Sequence, residues 1–103
     1  MRKRQIQSEQ RLLRAMARKY VWWLSPAEAA ARRDLAITQV MELGDYDDVL
    51  SLEAVLGRAR LAQALRRAEA GKFSERSWVY WHYRLGLTLP HQKVPPLPRR
   101  ALS

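Results

Sequence analysis

The sequence predicts an all-α protein: a compact bundle of five or six short helices, with a basic helix at its N-terminus and an extended proline-rich tail at its C-terminus. Three observations lead there. Start and stop signals recur along the chain, with Ser25-Pro26, Asp45 and Ser74 as starts and all four glycines, Gly44, Gly57, Gly71 and Gly86, as stops. Between them apolar residues repeat at helical spacing, and no alternating apolar and polar run is long enough to argue for a sheet. Of the five prolines, Pro26 opens a helix and the other four fall after residue 88. One hundred and three residues make one domain's worth of chain, with enough apolar surface for one modest core.

Residues 2–20 lack Pro and Gly and are rich in good helix formers, with a partial apolar stripe of Leu12, Leu13, Met16 and Tyr20. In "SPAE", Ser25 is placed to cap, Pro26 fits the first helical position, and Glu28 sits where a capping box needs it. This second helix is expected to break near Arg33, with Asp34 capping a third whose inner face is Ile37, Val40 and Met41. Asp45 is placed to cap the fourth, Asp47 and Asp48 suit its first turn, and Val49, Leu52 and Leu56 form its stripe. A fifth helix is expected from Arg58 to Ala70, burying Leu61, Ala64, Leu65 and Ala68 and exposing Arg60, Gln63, Arg66 and Arg67. Ser74 is placed to cap the last helix, which runs through Leu85. The expected organisation is a basic helix over 1–20, a helical core over 21–87 and a proline-rich tail over 88–103.

The aromatic residues concentrate in "SWVYWHYRLGL", residues 77–87. At helical pitch Trp78, Trp81, His82 and Leu85 share an arc of about 100°, which is expected to face the core. At least one of Trp22 and Trp23 is expected to pack against that stripe. The opposite face carries Arg76, Tyr80 and Arg84 at i, i+4 and i+8. It reads as a solvated face or as a contact strip for an anionic partner.

The net charge of +9 is divided unevenly. Residues 1–33 hold nine Lys/Arg and two Asp/Glu, residues 34–57 hold six acids and no Lys/Arg, and residues 58–103 hold ten bases and two acids. An acidic stretch between two basic ones implies either internal charge matching or two faces for two partners.

Catalytic chemistry finds little to use. Without cysteine there is no disulfide or thiolate chemistry, and no zinc spacing, phosphate-binding glycine loop or nucleophile elbow occurs. His82 lies on the apolar arc, where a hydrogen-bonded core role is expected, and His91 in the tail has no evident partner. Asp45, Asp47 and Asp48 lack the glycine and terminal glutamate of a calcium loop and read as helix-capping charge. No enzymatic activity, metal or cofactor is expected. No apolar run is long enough to span a bilayer, and "MRKRQIQSEQRLL" lacks the apolar centre of a signal peptide, so a cytoplasmic protein without membrane contact is expected. The pair of helices around Gly57 matches a helix-turn-helix weakly, because Glu53 stands where a small residue is needed and Gln63 and Arg66 stand where apolar ones belong. "PPLPRR" has the form of a proline-rich ligand, and a tail packed on its own domain or on a partner encoded beside it is the expected use.

Four segments, "KYVWWLSPAEA" (19–29), "ITQVMELGDYDDVLSL" (37–52), "FSERSWVYWHYRLGL" (73–87) and "VPPLPRR" (94–100), together resemble a family of small bacterial proteins of unassigned biochemistry. Its members commonly occur beside nucleotidyltransferase-like toxins of the abortive-infection type, an arrangement that resembles an antitoxin–toxin pair. The resemblance implies fold-defining roles for Trp22, Trp23, Gly44, Asp45, Trp78, Trp81 and Gly86, and no catalytic residue. Residues 1–18 lie outside the shared pattern, and "ARRD" replaces a proline that the family often has between the second and third helices.

The function that this resemblance implies is a non-enzymatic, antitoxin-like protein that binds and neutralises a cognate nucleotidyltransferase-like toxin. Its expected contact residues are Arg76, Tyr80 and Arg84, with Lys93, Arg99 and Arg100 in the tail. The alternative is a nucleic-acid-binding transcriptional regulator contacting DNA or tRNA through Arg2, Lys3, Arg4, Arg11, Arg14, Arg18, Arg60, Arg66 and Arg67. A purely structural helical subunit is the third class.

Overall fold

The structure is a computed structural model that describes residues 2–99, with side chains described from residue 7 onward. Six helices are formed among the described residues: α1 (Arg2–Tyr20), α2 (Pro26–Ala31), α3 (Arg33–Leu43), α4 (Tyr46–Leu56), α5 (Arg58–Arg66) and α6 (Glu75–Arg84). No strand occurs among them. Three of the starts are capped by side chains that accept an otherwise unpaired amide of the first turn. Ser25 Oγ accepts from the Glu28 N–H at 3.2 Å, Asp45 Oδ1 from Asp48 at 2.9 Å and Ser74 Oγ from Ser77 at 3.2 Å. None of the described helices is long and apolar enough to cross a membrane.

α3 is the axis of the bundle, in contact with each of the other five helices. Leu35, Ala36, Ile37, Thr38, Val40 and Met41 are all buried, so this helix is covered on nearly every side. Leu52 and Leu56 from α4, Leu61 and Leu65 from α5, Leu13 and Met16 from α1, and Trp78 and Trp81 from α6 complete the main core. The exposed end of α3 is closed by two different devices. The Gly44 N–H returns to the Val40 carbonyl at 2.7 Å, and the Trp81 indole N–H donates to the Met41 carbonyl at 2.8 Å. The second bond satisfies a buried polar atom on each side. Gly44 has ordinary negative φ; its lack of a side chain is required because a Cβ would lie 2.4 Å from the Val40 carbonyl oxygen.

Two boundaries differ from expectation. The break after α2 falls at Arg32, whose φ of −118° and ψ of 56° end one helix and admit the next. Asp34 therefore lies inside the first turn of α3 and is not its cap; it still suits the positive end of the helix dipole. α5 ends at Arg66 and does not continue to Ala70. The Ala68 N–H turns back to the Leu65 carbonyl at 3.3 Å, and the shortened helix lets Phe73 drop into the core against Trp78 at 6.0 Å between ring centroids.

α6 buries Trp78, Trp81 and His82 as one face. The carbonyl of Trp78 accepts from His82 Nδ1 at 2.7 Å, which fixes the proton on that nitrogen and leaves His82 as a hydrogen-bonded core residue. The helix closes with Gly86 at φ 70°: its N–H reaches the Tyr83 carbonyl, and the Leu87 N–H reaches back to His82 at 2.9 Å. That crossed pair of bonds is a Schellman motif, which needs a left-handed residue where Gly86 stands. Residues 88–99 then run without helix along α6. The Tyr83 hydroxyl donates to the Gln92 carbonyl at 2.9 Å and the Trp78 indole to the Pro95 carbonyl at 2.7 Å, while Val94 and Leu97 pack on the core.

The other tryptophan doublet does not enter the core. Trp22 is 74% exposed and Trp23 51%, and neither reaches the Trp78–Trp81 stripe. In "VWWL" the inward positions are the outer two: Val21 is buried, Leu24 is partly buried against it, and the Leu24 N–H bonds to the Val21 carbonyl at 3.1 Å. The turn thus tucks the two aliphatic residues under α3 and turns the indoles outward.

Candidate functional site

Part of the acidic stretch is partnered within the molecule, by two cations and one backbone amide. Lys19 Nζ lies 3.0 Å from Asp45 and 2.7 Å from Asp48, and the Tyr20 hydroxyl donates to Asp48 at 2.6 Å. Glu53 pairs with Arg84, and the Glu42 carboxylate accepts from the Ser74 N–H at 2.9 Å. Four of the six acids in residues 34–57 therefore have internal partners; Asp34 and Asp47 make no side-chain ion pair or hydrogen bond among the described residues. The electrostatics follow the contacts. Asp48 is held below the usual carboxylate range by Lys19 and then Tyr20, and Asp45 by the Asp48 amide and then Lys19. Burial, followed by the bond to Asp48, pushes the Tyr20 hydroxyl up. Lys19 and Arg84, from the two flanking basic segments, thus meet three of the six acids.

The strip on α6 is correspondingly less free than its spacing suggests. Arg76 is exposed and Tyr80 is 45% exposed. Arg84 is engaged: its guanidinium bonds Glu53 across the α4–α6 gap and lies 5.8 Å from the Tyr80 ring centroid, and the pairing with Glu53 raises its pKa. Arg84 therefore ties two helices together, and its loss is not neutral to the fold. Lys93 and Arg99 are exposed on the tail, and Arg100 lies outside the described residues.

The basic residues of α1 are brought to a different place. Arg11, Arg14 and Arg18 are exposed along one side of the helix, while the side chains of Arg2, Lys3 and Arg4 lie outside those described. Arg60 pairs with Glu9 at 3.7 Å and joins α5 to α1, and Arg66 and Arg67 are exposed at the end of α5. Arg14 and Arg18 border a groove of about 410 Å³ between α1, α2 and α3. Its floor and walls are apolar, formed by Leu13, Ala17, Leu24, Ala29, Ala30 and Ala36. Arg33 and Trp22 also line it, with Trp23 edge-on to Trp22 at 5.9 Å between ring centroids. Arg33 also borders a second hollow of about 370 Å³, beside Arg32, Arg67 and Lys72. Asp34 and Glu69 line that second hollow as well, so its charge is mixed, whereas the first groove carries only arginines as charged residues.

Sequence reasoning found Arg14, Arg18 and Arg67 but missed Trp22, Arg32 and Arg33 as surface elements. The signal for the tryptophan was present: Val21 and Leu24 stand three apart and claim the inward side of the turn. Arg33 carried no such signal, because its position depends on where the chain breaks between α2 and α3. No group of three or more metal-ligating side chains is gathered among the described residues. Compared with protein-family models, with curated proteins and with solved structures, the chain gives no match to any of them.

Proposed function

We propose that this chain is a non-enzymatic binding protein of the antitoxin type, which restrains a nucleotidyltransferase-like toxin by direct contact. The observation that carries the reading is the exposed Trp22–Trp23 pair beside a groove rimmed by Arg14, Arg18 and Arg33. Tryptophan and arginine dominate binding hot spots, and two large indoles left in water are unfavourable unless something covers them. The class of partner comes from the resemblance set out above. Arg14, Arg18 and Arg33 are the only charged residues lining the groove, which suits an acidic surface on the toxin. The test is co-expression with a nucleotidyltransferase-like toxin of the abortive-infection type. A stable complex that survives gel filtration at about 0.3 M salt and restores growth supports the proposal, because attraction from net charge alone is screened there. Growth inhibition without rescue, or a toxin that elutes alone, contradicts it.

One observation favours the alternative of nucleic-acid binding. Arg14, Arg18 and Arg33 line one groove, Arg33 is shared with a second hollow that also holds Arg32, Arg67, Asp34 and Glu69, and Trp22 offers a ring on which a base can stack. Under that reading affinity for tRNA or duplex DNA falls steeply with salt, and specific binding to its own promoter persists at moderate salt.

A further inference from the structure

Resting on the reading of this chain as a protein-binding module, we infer that the α1–α2–α3 groove is the docking site for an acidic amphipathic helix of the partner. The wall supplied by α1 is a single helical face, Gln10, Leu13, Arg14, Ala17 and Arg18, spaced i, i+3, i+4, i+7 and i+8. α2 supplies Pro26, Ala29 and Ala30, again one face. Alanines on both walls allow a helix backbone to approach closely, as long side chains would not. α2 buries none of its own residues, so its apolar side is left open toward the groove. The segment from Gln10 to Arg18 rises about 12 Å, two turns of a partner helix lying alongside.

The charge on the rim selects the occupant. Arg14, Arg18 and Arg33 make no ion pair among the described residues and stand around an apolar floor. A complementary ligand presents aliphatic side chains downward at i, i+3 and i+7, with carboxylates at its flanks to meet the arginines bidentately. Trp22, which also lines the groove, then covers one of these anchors. A nucleic-acid strand fits the rim but not the floor, since phosphate and sugar leave Leu13, Ala17 and Ala29 uncovered by aliphatic groups. A second copy of the chain offers an exposed face around Leu43, Tyr46, Asp47 and Leu50. Contact between that face and the groove is heterologous, and unless its rotation closes a ring it propagates into a chain of molecules.

The probe is a fluorescein-labelled peptide of about 14 residues with leucines at i, i+3 and i+7 and glutamates between them, titrated against the full chain at about 0.15 M salt. The expected result is saturable binding that a scrambled peptide of the same composition does not reproduce. Binding should weaken by about tenfold or more in Arg14→Glu with Arg18→Glu, in Trp22→Ala, and in the charge-neutral Ala30→Trp, which blocks the groove mouth. Arg76→Ala should leave it unchanged. Circular dichroism of each variant controls for folding, and Trp22 and Ala30 are exposed, so their replacement does not disturb the core. Equal binding of the scrambled peptide, insensitivity to Ala30→Trp, or no binding overturns the inference. So does tighter, Trp22-dependent binding of oligouridylate, which makes the groove a nucleic-acid site, or self-association abolished by Ala30→Trp, which makes the occupant a second copy. Because toxin is absent from this assay, peptide binding without growth rescue rejects the toxin and keeps the groove. Rescue undiminished by Ala30→Trp rejects the groove and keeps the toxin.

Discussion

The two tryptophan doublets have opposite environments. Trp78 and Trp81 are 7% and 1% exposed, each with its indole N–H bonded to a backbone carbonyl, whereas Trp22 and Trp23 are 74% and 51% exposed and touch chiefly one another. Residue type does not separate them, and spacing does. Positions three apart on a continuous helix fall on one face, so Trp78 and Trp81 are buried together along with His82 and Leu85. Adjacent positions in a four-residue turn flanked by Val21 and Leu24 are instead pushed outward by the smaller residues that fill the interior. One doublet holds the fold, and the other stays exposed to solvent.

The sharpest way to break this contrast is Trp81→Ala. Loss of a fully buried indole and of the bond to the Met41 carbonyl is expected to cost about 3–5 kcal/mol, measured by urea denaturation. Trp78→Ala should cost nearly as much and also release the tail from Pro95. Full stability in both variants means that α6 is packed the other way round.

Next in size is Arg84→Ala, which unpairs Glu53. Less than a third of the Arg84 side chain is exposed, and the expected cost is about 1–2 kcal/mol after allowing for solvent screening. A double-mutant cycle with Glu53→Gln should show coupling; additivity would return Arg84 to the free surface.

A smaller effect lies in the acid limb of stability. Asp45 and Asp48 titrate lower in the folded chain than the ordinary 3.8, so they favour folding above that value and lose the contribution as pH falls through their depressed range. Stability should therefore decline below about pH 4, and Asp48→Asn should flatten the decline. An unchanged acid limb in that variant means that the Lys19–Asp48–Tyr20 contacts add nothing in solution.

Smallest of all is the effect of the outer doublet on folding. Trp22→Ala and Trp23→Ala should each change stability by less than about 0.5 kcal/mol, as surface substitutions do.

Much of the architecture was legible in the chain. The three side-chain caps and the faces of α4 and α6 follow from local spacing, which is why Ser25, Asp45, Ser74, Leu52 and Trp81 stand where pattern places them. What escaped depends on packing between elements. The end of α5 is decided by Phe73 reaching Trp78, seven residues beyond Arg66, and Arg84 is withdrawn from the surface by Glu53, 31 positions away. The groove is less legible still. Its walls come from three helices, and Arg33 reaches the rim only because the chain breaks at Arg32. Arginines give no local sign of whether an internal acid will claim them.

The proposed division between a structural and a binding doublet is tested most directly by comparing two faces in one assay, growth of cells expressing a nucleotidyltransferase-like toxin of the proposed class. The paired variants are Trp22→Ala with Trp23→Ala, and Arg76→Ala with Tyr80→Ala, each first shown to be folded by its circular dichroism and thermal transition. The first pair should fail to rescue growth while the second protects as well as the parent chain. Protection by the first pair and loss with the second would contradict the assignment and place the inhibitory surface on α6.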